Sequence, residues 1–211
     1  MEDANMRVRM RGKPARGSGA ILLLITGMPG CGKSTAVGIL REMGFEIVEM
    51  GTHVVALAKS LGIRTDAAGV SRLASALRRL AGKEVVARMA LPAVRAARGN
   101  VAVSGVRSIE EAEYIAAHAA QRIAYLIAIT APRGERVARI IARRRGDALS
   151  TAAAIGRIEA QQRRWGIGRL IRKADFVIPN ISTKAALRRK LRRLLHSVTA
   201  PSRQQRQHNI N

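Results

Sequence analysis

The chain has 211 residues, with 38 lysines and arginines against 14 acidic residues and a formal charge of +24, and it is long enough to bury a core without covalent staples. Its single cysteine, Cys31, excludes an internal disulfide, and no Cys/His cluster offers a structural metal site. No apolar run reaches the roughly 18 residues of a membrane helix, and Met1 to Gly17 lacks the apolar stretch of a signal peptide, so the expectation is a cytoplasmic protein with no membrane partner.

Residues 1–19 are basic, aperiodic and punctuated by Gly and Pro, and residues 199–211 are polar and unpatterned; both read as disordered tails. Between them, residues 20–198 alternate short β-rich apolar runs with helical patterns, the signature of a parallel sheet wrapped by helices. The first run, ILLLIT at 21–26, leads into Gly27-Met28-Pro29-Gly30-Cys31-Gly32-Lys33-Ser34-Thr35, after which a helix is predicted from Ser34 to Met43. Gly27, Gly32, Lys33 and Ser34 fit the spacing of a phosphate-binding P-loop, in the strand-to-helix context the motif requires. Glycines allow successive backbone N–H groups to turn inward and form an anion nest at a helix N-terminus. Lys33 would then reach the β- and γ-phosphates of ATP, and the Ser34 hydroxyl would ligate Mg2+.

A second strand, EIVEM at 46–50, is followed by Gly51-Thr52-His53, and a helix is expected from His53 to Leu61. One long helix is predicted from Ser71 to Ala97, where Arg72, Arg78, Arg79 and Arg88 make a suitable wall for an acceptor phosphate, with no two of them singled out by spacing. The third strand, VAVS at 101–104, ends with Ser104 where many P-loop enzymes carry a metal-side carboxylate, and Arg107 follows at the carboxyl end of the sheet, where such folds place their ligands. A helix from Ile109 to His118 and the strand IAYLIAIT at 123–130 come next.

Residues 133–193 hold 18 basic residues against 4 acidic ones, whereas residues 20–132 hold 13 against 8, so the positive excess lies in the C-terminal third. Helices expected at Glu135 to Arg145 and Ser150 to Arg172 are joined by a short Gly-Asp loop. Arg136, Arg139 and Arg143 share a face of the first, Arg144 and Arg145 close it, and Arg157 and Gln161 share a face of the second. Together they read as a lid over residues 133–167 that closes arginines onto a transferring phosphate. The strand FVIP at 176–179 and a helix from Thr183 to His196 end the pattern, with Ser150 and Thr183 as N-caps. The same basic surface predicts weak nucleic-acid binding, indifferent to sequence and resting on phosphate neutralisation.

The motifs GMPGCGKST, REMGFEIVEMG, ARMALP, SGVRSIEEAE, RIEAQ, WGIG and ADFVIPN lie along residues 20–195. Through them the chain resembles P-loop nucleoside-phosphate kinases, most closely an archaeal family related to adenylate kinase and dephospho-CoA kinase. The resemblance implies a three-layer α/β fold with a five-stranded parallel sheet ordered 2-3-1-4-5, ATP and Mg2+ as cofactors, and γ-phosphate transfer to a nucleotide-like acceptor. It carries a lid role onto Arg157 and Gln161. Related sequences usually read Gly-Asp and Asp-Gly where this chain has Gly51-Thr52 and Ser104-Gly105, and the arginine of adenylate kinases falls on Val55. The expected catalytic set is Lys33, Arg107, Arg143 and Arg157. Dephospho-CoA kinase activity, or NTP binding by a protein that uses its basic surface on nucleic acid, stay open as alternatives.

Overall fold

A computed structural model describes residues 19–119, 122–143 and 151–199. The tails, Arg144, Arg145, the Gly-Asp loop and the expected cap Ser150 fall outside the described residues, apart from residues 19 and 199 at the tail boundaries.

Five parallel strands form one sheet: β1 (Ile21–Thr26), β2 (Glu46–Glu49), β3 (Val101–Ser104), β4 (Ile123–Thr130) and β5 (Phe176–Pro179), in the order 2-3-1-4-5. Every strand predicted from β-rich composition is present, and the central one is the most apolar. All six residues of β1 are buried, because helices cover both faces of the sheet and no position meets water. Alternation decides which face each residue serves. Leu22, Leu24, Val101 and Val103 pack with α2 (Met50–Ser60), α4 (Val85–Ala96) and α5 (Ile109–His118). Leu23, Ile25 and Ala102 pack with α1 (Lys33–Glu42) and α9 (Lys184–Thr199) on the other face. Each aliphatic side chain buried this way stabilises the fold by about 1.5–3 kcal/mol.

Two predicted helices are each divided. The stretch Ser71 to Ala97 becomes α3 (Ala67–Ala81) and α4, broken at Gly82, where φ is 94°. The stretch Ser150 to Arg172 becomes α7 (Ala152–Arg164) and α8 (Ile167–Arg172), broken at Gly166 with φ 98°. Apolar periodicity continues across both breaks, so the glycines were the only local signal for them. Thr151 caps α7 through a hydrogen bond from Ala154 N–H at 3.2 Å, and Thr183 accepts from Ala186 N–H at the same distance. Helix α2 starts at Met50, directly from β2, so His53 lies within the first turn rather than at its start. Helix α6 (Arg133–Arg143) follows β4. Among the described residues no helix is long and apolar enough to cross a membrane.

Candidate functional site

The carboxyl ends of β1, β3, β4 and β5 surround the loop of residues 27–32. The sequence there is poor in side chains because other backbone lies against it. A Cβ on Gly30 would overlap the main-chain carbonyl of Arg136, and one on Gly32, where φ is 98°, would overlap the side-chain amide of Asn180. Asn180 follows β5 and holds the loop by donating from Nδ2 to the Cys31 carbonyl at 2.9 Å. The hydroxyl of Thr26 donates to the Val106 carbonyl at 2.8 Å, tying the end of β1 to the segment after β3.

Lys33 curls over the loop, its Nζ 2.6 Å from the Gly27 carbonyl and 3.1 Å from that of Met28. Burial lowers its pKa, Cys31 opposes that shift, and the positive charges of Arg107 and Arg136 add to the lowering. The site is therefore a concentration of positive charge in which an anion would be stabilised. Ser34, in the first turn of α1, is exposed, and Thr35 is partly so. Cys31 is fully buried beneath the loop.

The expected lid meets this loop through Arg136. Its Nη1 donates to the Pro29 carbonyl at 3.1 Å and to Glu159 of α7 at 2.5 Å, while its Nε donates to the Ala131 carbonyl at 3.2 Å. Glu159 is 1 % exposed and also receives Arg133 at 3.1 Å. Burial acts to raise its pKa, but the hydrogen bonds from Arg136 and Arg133 outweigh burial and lower it. Arg143 and Arg157 are exposed. The structure thus brings Arg136, rather than Arg143 or Arg157, onto the P-loop, because α6 enters directly from β4 with its first turns against Gly30.

On the opposite side, Ser108 caps α5 by accepting from Glu111 N–H at 3.2 Å, and the Glu111 carboxylate accepts the main-chain N–H of Arg107 at 2.7 Å. Its other oxygen pairs with Arg78 of α3 at 2.5 Å. The Arg107 side chain donates to Gln162 of α7, and its guanidinium lies 5.3 Å from the Trp165 ring centroid, with Arg78 at 4.5 Å from the same ring. Burial and the nearby Arg78, partly offset by Glu111, push Arg107 down to about 10, so it stays charged at neutral pH.

Ser104 is 5 % exposed at the end of β3, in register with Ile25 of β1 and Glu49 of β2. The Thr52 hydroxyl donates to the Glu49 carbonyl at 2.7 Å, and both Gly51 and Val55 are exposed on α2. Between α3 and α7 lies a cavity of about 420 Å3 lined by Ser71, Arg72, Ser75, Ala76, Arg79 and Gln161. Of the four wall arginines, Arg72 and Arg79 face this cavity and Arg78 turns toward Trp165. Arg88 instead donates to the Ala81 carbonyl at the end of α3. Sequence reading missed Glu159, Gln162, Trp165 and Asn180 as parts of the site. The motifs RIEAQ, WGIG and ADFVIPN contain Glu159, Trp165 and Asn180 without giving their partners, which depend on how α7 lies against Arg136 and Arg107 and on the turn after β5.

A family model described as an AAA domain matches residues 26–156. UPF0200 protein Ta0179 of Thermoplasma acidophilum is 31 % identical over 179 residues, 82 % of this chain and 94 % of that protein. The UPF0200 protein of Methanothrix thermoacetophila is 35 % identical over 175 residues, with 82 % and 94 % covered. The chain belongs to the UPF0200 family. The fold of this UPF0200 member is that of P-loop kinases. TT1252 from Thermus thermophilus superposes with a TM-score of 0.59 at 21 % identity over 87 % of this chain and all of that one. A shikimate kinase from Acinetobacter baumannii, solved with shikimate, gives 0.55 at 15 % identity over 87 % and 97 %.

Proposed function

We propose that this chain is an ATP-dependent phosphotransferase that moves the γ-phosphate of ATP to a nucleotide-like acceptor. The observation that carries the reading is that Lys33 and Arg136 both reach one glycine loop at a helix N-terminus, with the charge of Arg107 near enough to act on Lys33. A triphosphate lying in that loop would meet backbone N–H groups, the Lys33 ammonium would turn from the Gly27 and Met28 carbonyls to the phosphate oxygens, and Arg136 would close the site from the lid. Arg107 would neutralise charge on the transferring group, with the exposed Arg143 and Arg157 joining only on further closure. The acceptor would enter between α3 and α7, where the cavity of about 420 Å3 has a size suited to a small molecule and a lining of hydroxyls, an amide and two arginines.

Mg2+ is the implied metal. Among the described residues no group of three His, Cys, Asp or Glu side chains could hold an ion by itself. The exposed Ser34 hydroxyl is the side chain that would hold the ion, and the Ser104 hydroxyl at the end of β3 would support it without adding charge. When bound, the ion would neutralise charge on the phosphate oxygens.

The test is ATP-dependent phosphorylation of a panel comprising AMP, CMP, dCMP, UMP, GMP and dephospho-CoA. Transfer to a nucleoside monophosphate supports the reading, transfer to dephospho-CoA alone supports the 3′-hydroxyl kinase in its place, and no transfer to any of them contradicts phosphotransfer to a nucleotide-like acceptor. A second reading, NTP binding coupled to nucleic-acid binding, is favoured by α9, whose sequence KAALRRKLRRLLHSVT holds six basic residues and no acidic one.

A further inference from the structure

We infer that Asn180 is a positioning residue for the phosphate loop: by holding the Cys31 carbonyl it aims the Gly32 N–H at the phosphates of a bound nucleotide. The inference rests on the reading of residues 27–32 as the seat of a triphosphate and adds the residue that sets its geometry.

An anion nest needs loop N–H groups that point inward, so the carbonyls between them have to be held outward. Four of those carbonyls are engaged by side chains. Lys33 Nζ takes the Gly27 and Met28 carbonyls, Arg136 takes that of Pro29, and Asn180 takes that of Cys31 at 2.9 Å. Once Lys33 turns to the phosphates, the ties from Arg136 and Asn180 are the ones that remain.

The peptide between Cys31 and Gly32 is trans, and in a trans peptide the C=O and N–H point in opposite directions. Fixing the Cys31 carbonyl toward β5 therefore turns the Gly32 N–H the other way, into the loop. The Cys31 N–H bends back to the Met28 carbonyl at 3.2 Å, but the Gly32 N–H meets no acceptor among the described residues. Gly32 is the N-cap of α1, so this donor joins the unpaired N–H groups of the helix start.

Asn180 is itself firmly placed. Its main-chain N–H donates to the Thr130 carbonyl at 2.7 Å, at the end of the ladder where Thr130 pairs with Pro179, and Lys190 of α9 donates to the Pro179 carbonyl at 2.6 Å. A carbonyl only accepts, so Nδ2 is the end of the amide that faces Cys31. The approach is close enough to require glycine opposite: a Cβ on Gly32 would lie 2.0 Å from Nδ2.

The experiment measures inorganic tripolyphosphate and ADP as competitors of one fluorescent ATP analogue, so that only binding at the loop is read, for the unaltered chain and for Asn180→Ala. Thermal unfolding checks the fold, and the Gly32 amide resonance is followed in isotope-labelled chain at saturating ADP. Both competitors should weaken by about 10-fold, the scale of one hydrogen bond to a charged group. The factor should be the same for both, because the misdirected N–H serves phosphate and not the nucleoside. The Gly32 amide proton, moved downfield by ADP in the unaltered chain, should lie further upfield in the variant. Asn180→Asp, which keeps the size but sets oxygen against the Cys31 carbonyl, should bind at least as weakly and carries the comparison if Asn180→Ala does not fold. Weakening of ADP alone would make Asn180 a contact to base or ribose and overturn the inference. Unchanged affinities in a folded variant, or identical Gly32 resonances in the two ADP complexes, would overturn it too, and each of these results leaves the phosphotransferase reading standing. No analogue binding by the unaltered chain would overturn both.

Discussion

Arg136 of α6 donates to the carbonyl of Pro29 in the phosphate loop at 3.1 Å, and the same Nη1 donates to Glu159 of α7 at 2.5 Å. One guanidinium therefore joins the loop, the helix that leaves β4, and the helix that follows it. Removing it with Arg136→Ala would leave Glu159 buried with only Arg133 and, at 4.0 Å, Arg163. We expect a loss of about 3 kcal/mol, the lower end for breaking a buried pair, because those partners remain. Denaturant unfolding measures it, and nucleotide binding should slow and weaken in the same variant.

Lys33 gives a pH prediction. Burial, with help from Arg107 and Arg136, lowers its pKa from the ordinary 10.5. Between the lowered value and 10.5 the folded chain holds fewer protons at this site than the unfolded chain, so the Lys33 contribution to stability rises with pH across that window. Nucleotide affinity should move the other way, falling on the alkaline side before an ordinary lysine would titrate. Equilibrium binding of an ATP analogue from pH 7 to 10.5 should show this fall, and Lys33→Arg should flatten it.

Restoring a carboxylate at the end of β3 tests the metal side. Ser104→Asp should increase the Mg2+ dependence of nucleotide affinity by about 10-fold, the scale of an orienting group behind a metal ligand. Binding measured with Mg2+ and with a chelator reads it out. An unchanged ratio in a folded variant would remove Ser104 from the metal side of the site.

The basic surface divides into two parts. Arg133, Arg136 and Arg163 gather around Glu159. On α9, exposed Arg189, Arg192 and Arg193 have no carboxylate within 4.0 Å among the described residues. Weak nucleic-acid binding would then rest on α9 rather than on the lid. Reversing all three charges to Glu should reduce the slope of log affinity against log salt by about 3 on duplex DNA, and MgATP should compete little. Strong competition by MgATP would return that binding to the lid arginines.

Much of the fold was legible because buried parallel strands read as apolar runs and the loop glycines sit between a strand and a helix. The split of Ser71 to Ala97 at Gly82 was not, since alanine-rich periodicity runs through it and α3 and α4 each bury a face. Lys33 and Ser34 could be placed from spacing alone. Arg136 could not be distinguished from Arg139 and Arg143, which share its helical spacing, because the choice depends on the close approach of the Arg136 backbone to Gly30. The placing of Arg78 and Arg107 around one ring was also hidden, as it is made by Trp165, which caps the end of α7, and by Glu111 of α5.

The most direct test of the central claim is ATP-dependent phosphotransfer by Lys33→Ala beside the unaltered chain, using whichever acceptor of the panel is phosphorylated. Lys33 is the charged side chain on the loop that no neighbouring cation replaces in position, so turnover should fall at least ~100-fold with the fold intact by thermal unfolding. Turnover within a few-fold of the unaltered chain would contradict the assignment of this loop to phosphoryl transfer.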